Sequence, residues 1–89
     1  MEFEFDAEKS KANQAKHGID FTEAARLWND ERRLDVPART VGEARVMVIG
    51  VIARQFWSAV VTHRKDRIRI ISVRRSRAEE VKLYEGKDQ

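Results

Sequence analysis

Phe3 and Phe5 alternate with Glu2, Glu4 and Asp6, a period-2 pattern that predicts a short half-buried strand at the start of the chain. Asp6 then stands as the N-cap of a short helix over AEKSKANQAKHG, with Ala7, Ala12 and Ala15 as its apolar stripe and Gly18 as the residue that ends it. A second helix is signalled by Asp20 and Glu23, an Asp-x-x-Glu capping box, and by Ile19 and Ala24 at staple positions. Phe21, Ala24, Ala25 and Trp28 follow the i, i+3, i+4, i+7 rule, which predicts one buried face and puts Trp28 in the core.

Beyond Asn29-Asp30 the pattern turns to strands. RRLDVP reads as a short strand stopped by Pro37, and ARTVGE as a polar connection. ARVMVIGVIA is apolar almost throughout, as in a strand covered on both faces; FWSAVVTH follows a tight Arg54-Gln55 turn, and RIRIISVRR a loop at Arg64-Lys65-Asp66. Connections this short demand antiparallel hairpins. By strict alternation Ile68, Ile70 and Ser72 share one face of the last strand and Arg67, Arg69, Ile71 and Val73 the other. Two arginines on one face of an interior strand predict that this face is open. A closing helix is marked by Ser76 and Glu79 as a capping box and by Ala78, Val81 and Tyr84 in one stripe, with a polar tail, KDQ, after Gly86. The order β-α-α-β-β-β-β-α predicts an α+β domain in which two N-terminal helices and one C-terminal helix are segregated from an antiparallel sheet.

At 89 residues the chain has room for one small domain, residues 1–89, and a single core. With no cysteine, disulfides and thiolate metal sites are excluded. The acidic start lacks a secretory signal's basic flank, and no long uncharged apolar run follows, so the expectation is a soluble, cytoplasmic protein without membrane contact. Net charge is only +3, but it is unevenly spread. Between residues 64 and 77 lie Arg64, Lys65, Arg67, Arg69, Arg74, Arg75 and Arg77, opposed only by Asp66. Six arginines to one lysine suit planar, bidentate recognition of oxyanions such as phosphate, although a solvated strand edge would carry the same residues.

His17 and His63 fall in different predicted elements, no carboxylates show ligand spacing, and the P-loop, dinucleotide and nucleophile-elbow signatures are absent. No metal and no cofactor is therefore expected. What remains could cleave RNA without a metal: the ribose 2′-OH attacks its own 3′ phosphate, arginines neutralise the crowded phosphate, and protons are exchanged at the 2′ and 5′ oxygens. Free tyrosine titrates near pH 10, so Tyr84 would serve as a base only if nearby arginines lowered that value. Simple nucleic-acid binding uses the same arginines.

Several segments together resemble the BrnT family of ribonuclease toxins from type II toxin–antitoxin systems. Phe3 to Asp6, Lys9, Asn13, Lys16-His17-Gly18, Phe21 and Glu23-Ala24 match the family's opening; Thr62, Arg64, Asp66, Arg67 to Ser72, Arg74 and Arg75 match its second signature; Glu80 and Tyr84 match a closing Glu-x-x-x-Tyr. Three positions depart from it: His63 stands where Glu is frequent, Arg77 where a Thr cap is common, and Val81 where Arg is frequent.

The resemblance implies a RelE-like fold and an mRNA-cleaving, translation-inhibiting toxin. Its partner would be a cognate BrnA-like antitoxin whose ribbon-helix-helix half binds operator DNA, so that DNA is met only through the antitoxin. It assigns Arg64 and Arg74 to transition-state charge, Glu80 and Tyr84 to positioning or proton exchange, and Arg67, Arg69, Arg75 and His63 to RNA contact, His63 being also a better base than Arg near neutral pH. Other readings stand beside these. Tyr84 also suits packing against the sheet, Glu80 an ion pair with Arg74 or Arg77, His17 a helix C-terminus, and Trp57 the core. The whole chain also fits a non-catalytic nucleic-acid-binding or antitoxin-binding module on the same fold.

Overall fold

The structure, a computed structural model, describes residues 2–38 and 42–86. Part of the expected ARTVGE connection and the KDQ tail lie outside the described residues. Asp6 opens helix α1 (Ala7–His17): its Oδ1 accepts from the N–H groups of Glu8 at 2.8 Å and Lys9 at 3.2 Å. Gly18 closes it at φ +78°, donating to the Gln14 carbonyl, a left-handed conformation that glycine adopts without strain. The expected alanine stripe is not the buried one. Ala7, Ala12 and Ala15 are exposed, and Ser10 and Asn13 are buried instead. Ser10 Oγ accepts from the Phe21 N–H at 2.9 Å. Asn13 Nδ2 donates to the carbonyls of Ile19 (2.8 Å) and Val73 (2.9 Å), and its Oδ1 accepts from the Val73 N–H at 3.3 Å. Hydrogen bonds, rather than an apolar face, dock this helix.

Asp20 Oδ1 accepts from the Glu23 N–H at 2.8 Å, and Ile19 and Ala24 are both buried at the staple positions. Helix α2 covers only Phe21–Ala24 before tightening into a 3-10 segment, Ala25–Asn29. The tighter winding breaks the 3.6-residue spacing and turns Leu27 fully into the core, leaving Trp28 half-buried and edge-on to Phe3 with ring centroids 4.9 Å apart.

Strands β1 (Glu2–Glu4), β2 (Leu34–Ala38), β3 (Arg45–Ile52), β4 (Gln55–Arg64) and β5 (Arg67–Arg75) form a sheet in the order β1-β5-β4-β3-β2. The last four pair antiparallel as expected, but β1 runs parallel to β5, with Phe3 opposite Ile68, so the sheet is mixed. Short connections fix the direction only of neighbours in sequence, and β1 and β5 are not neighbours. Pro37 lies within β2 instead of ending it, which an edge strand tolerates. The β3–β4 turn is Ala53-Arg54, one residue earlier than expected, with both residues at positive φ, +49° and +68°, as a two-residue hairpin of this hand requires.

One sheet face packs Val48, Ala59, Val61, Ile70 and Val73 against Ile19, Phe21, Ala24 and Leu27. Helix α3 (Ala78–Gly86) lies on the opposite face, where Ile49 is fully buried, and covers only part of it. The α+β architecture and the order of elements agree with the sequence reading.

Candidate nucleic-acid interface

A β-bulge assembles the basic face. Val60 pairs with Ser72 but Val61 pairs with Ile70, so Ile71 is an extra residue in β5. The extra residue shifts the alternation: Val73 joins Ile68 and Ile70 in the core, and Ser72 and Arg74 move to the face that carries Arg67 and Arg69. Strict alternation placed Ser72 and Val73 the other way round. Arg64 pairs with Arg67 across the β4–β5 hairpin, and Arg45, beside the core-facing Val46, points the same way. Among the described residues, five arginines from three strands thus share the face that α3 leaves partly open.

Three of the five are held by carboxylates. Arg69 meets Glu4 at 3.0 Å, which ties β1 to β5; Arg64 meets Glu43 at 3.4 Å; Arg74 meets Glu80. The last is the best built. Both terminal nitrogens of Arg74 donate to the two Glu80 oxygens at 2.8 Å, and Glu80 Oε1 also accepts from Ser58 Oγ at 2.8 Å and the Arg77 N–H at 2.9 Å. The Arg74 guanidinium first, then the Arg77 N–H and the Ser58 hydroxyl, hold the Glu80 carboxyl down to about 2 against its burial. The hydrogen bonds to Glu80, and after them its charge, in turn push Arg74 above its ordinary value against its partial burial. The helix start differs from the expected Ser76/Glu79 box: Glu80 reaches back to Arg77, while Ser76 Oγ bonds Ser58 Oγ at 2.7 Å. Ser76, just past the end of β5, donates its N–H to the Phe56 carbonyl at 3.1 Å, so its backbone is tied to β4 and its hydroxyl to Ser58 where a cap would be needed.

Tyr84 sits one turn beyond Glu80, its ring edge-on to Phe56 at 5.2 Å between centroids. Its hydroxyl donates to Asp30 Oδ2 at 2.8 Å, and the same oxygen accepts from the Val51 N–H at 2.9 Å. Asp30 therefore joins α3 to the 3-10 segment around the end of β3. Burial, then the Asp30 hydrogen bond and charge, raise the Tyr84 phenol above 10, the reverse of the lowering that proximity to arginines was expected to give.

Of the residues singled out in the sequence, Arg64, Arg67, Arg69 and Arg74 share the open face, and Glu80 and Tyr84 reach it from α3. They form two groups. Arg64 lies six β4 positions from Ser58, the residue opposite Arg74, which separates the two by about 20 Å along the strands. His63 and Arg75 fall on the other face, opposite Ile68 and Trp57; both are exposed, and Arg75 lies over the buried Trp57 ring at 5.4 Å. Asp30, Ser58 and Arg45 were not singled out. Ser58 acts through partners distant in sequence, Asp30 meets Tyr84 and Val51 far along the chain besides its local bond from the Arg32 N–H, and Arg45 lies outside the arginine-dense segment.

Such a domain, small, α+β and bearing an arginine-lined sheet face, is suited to a polyanionic ligand. Residues 5–80 match the family model described as the ribonuclease toxin, BrnT, of type II toxin–antitoxin systems, and the chain belongs to that family. No curated protein matches the chain. No helix among the described residues is long and apolar enough to cross a membrane.

Proposed function

We propose that residues 1–89 form a RelE-like, metal-independent endoribonuclease that inhibits translation in the cytoplasm until a cognate BrnA-like antitoxin covers it. The observation that carries this reading is the bulge-aligned row of Arg67, Arg69 and Arg74 on β5, facing outward beside Arg64 and Arg45. A single RNA strand laid along this face would meet guanidinium groups from end to end. At the scissile phosphate the 2′-oxygen bonds to phosphorus as the bond to the 5′ oxygen breaks, leaving a 2′,3′-cyclic phosphate and a 5′-hydroxyl. Arg74, whose terminal nitrogens donate to Glu80, the Arg75 carbonyl and Met47 Sδ, is fixed in orientation and stabilises the developing charge through its positive charge and its Nε–H. Glu80 and Tyr84 act as positioning residues, because the carboxylate is saturated by donors and the phenol is committed to Asp30. The 2′ and 5′ oxygens exchange their protons with water. Arg64 lies too far away for the same phosphate and contacts the strand further along.

The test is incubation of the purified chain, freed of partner, with mixed-sequence single-stranded RNA in EDTA, beside Arg67→Ala and Arg74→Ala. The expected result is cleavage leaving 2′,3′-cyclic phosphate ends, slowed at least tenfold in Arg74→Ala and weakened in binding in Arg67→Ala. A second reading, a face that binds nucleic acid without cutting it, draws on the commitment of Glu80 and Tyr84 to structural bonds. Intact RNA under these conditions and in a translation extract would decide for that reading.

A further inference from the structure

The segment from Asp6 to Phe21 is only partly explained by folding. Asp6 caps α1, Asn13 clamps β5, Gly18 supplies the left-handed turn, and Phe21 fills the core. Lys9, Lys16 and His17 do none of these things. Neither lysine has a carboxylate within salt-bridge distance among the described residues, and both are exposed. Yet all three line one groove of about 240 Å³, between α1 and the stretch of β5 where β1 has ended. Its far wall is Ile71 and Ser72, the bulge itself.

We propose that this groove is a second RNA-backbone subsite, in which Lys9 and Lys16 contact two phosphates of a strand that passes from the arginine face over the bulge; it rests on the ribonuclease reading. Ser72 belongs to both surfaces, since it shares the arginine face with Arg69 and Arg74 and also lines the groove. Lys9 and Lys16 are seven residues apart, about 10 Å along the helix. That spreads positive charge in a line, as a polyanionic strand needs, instead of converging it on one small anion. Lysines are point charges that neutralise phosphates without reading a base, so the subsite adds affinity and direction but no sequence preference. The groove floor, with Ala12 and Phe21, offers an apolar surface for a ribose or base.

The test uses a mixed-sequence single-stranded oligonucleotide with 2′-O-methyl riboses, which lacks the attacking hydroxyl and so separates binding from cleavage. The Lys9→Gln/Lys16→Gln chain is compared with Lys11→Gln/Lys82→Gln, which removes equal charge from exposed positions outside the groove, with thermal midpoints as the folding control. The expected result for the groove variant is roughly tenfold weaker binding, and a slope of log affinity against log salt shallower by about 1.4, or about 0.7 per phosphate contact. The control pair should stay within about twofold. Equal affinity and slope for groove variant and wild type would overturn the subsite while leaving the ribonuclease reading standing. So would loss of antitoxin binding with RNA binding intact, which would make the groove a protein-docking surface. If the wild type binds the oligonucleotide but leaves cleavable RNA whole, weaker binding by the groove variant still supports the subsite, and the ribonuclease reading fails. A wild type that does not bind overturns the subsite directly.

Discussion

Glu80→Gln tests how much of the fold depends on the carboxylate beneath the arginine face. The side chain is 7 % exposed and accepts four hydrogen bonds, two of them from Arg74. Glutamine keeps the shape, and its oxygen can still accept from Ser58 and Arg77, but it removes the charge and turns an amide NH₂ toward the guanidinium. A carboxyl lowered from 4.5 to about 2 corresponds to about 3 kcal/mol at about 1.36 kcal/mol per unit. Because the Arg74 side chain keeps 29 % of its surface in solvent, about 2–3 kcal/mol is the loss expected near neutral pH. For a chain of this length that is roughly 10–20 °C in Tm. The folded-state value is depressed, so the contribution is complete above the unfolded value near 4.5 and is lost as pH falls toward 2. Urea unfolding of both chains at pH 7 and pH 3 reads this out: the gap should shrink to less than half at the lower pH. A gap below about 0.5 kcal/mol at pH 7, or one unchanged at pH 3, would refute the reasoning.

Tyr84 is the only tyrosine, so its phenolate absorbance can be titrated directly: the native midpoint should lie above 10, return to about 10 in urea, and fall in Asp30→Asn. Since this value is raised in the folded state, the associated stability is present below 10 and lost as pH rises through the native midpoint, and Tyr84→Phe should remove that dependence. Asn13→Ala strips partners from the Val73 N–H and from the Val73 and Ile19 carbonyls; a cost of about 2–4 kcal/mol in chemical denaturation is expected, and less than 1 kcal/mol would show that water replaces the side chain. Gly50→Ala would place a Cβ 2.9 Å from Leu27 Cδ2 and 3.3 Å from Asp30 Oδ2, for an expected loss of about 1–3 kcal/mol, whereas an unchanged Tm would mean that the 3-10 segment gives way freely.

Elements with strong local signals were legible in the sequence. Asp6 and Gly18 bound α1, and the β3, β4 and β5 runs were recovered within a few residues. Errors arose where a distant partner overrode the local pattern. The alanine stripe of α1 lost to Ser10 and Asn13 because the α2 N-terminus and the β5 edge present backbone groups that need partners, and an apolar face cannot supply them. Trp28 lost its core position to Leu27 through a change of helical pitch that hydrophobic spacing does not encode.

The candidate site shows the same division more sharply. The arginines of 64–77 are visible in the sequence at once, but period-2 counting puts Arg74 on the opposite face from Arg67 and Arg69, with the core isoleucines. The single extra residue at Ile71 reverses that assignment, and the sequence around it, RIIS, carries none of the glycines that often mark a bulge. What stabilises the reversed register is burial: Val73 enters the core at 0 % exposure, and Asn13 bonds both of its backbone groups. Unbulged, β5 would turn the Val73 side chain to solvent and bury the Arg74 guanidinium among apolar groups, far from Glu80. The alignment of arginines on one face is therefore a consequence of how α1 and the core grip β5. If the proposed RNA-binding role of this face is right, Asn13→Ala, which leaves every arginine in place, should still weaken oligonucleotide binding, and unchanged affinity would show that the bulge holds without Asn13.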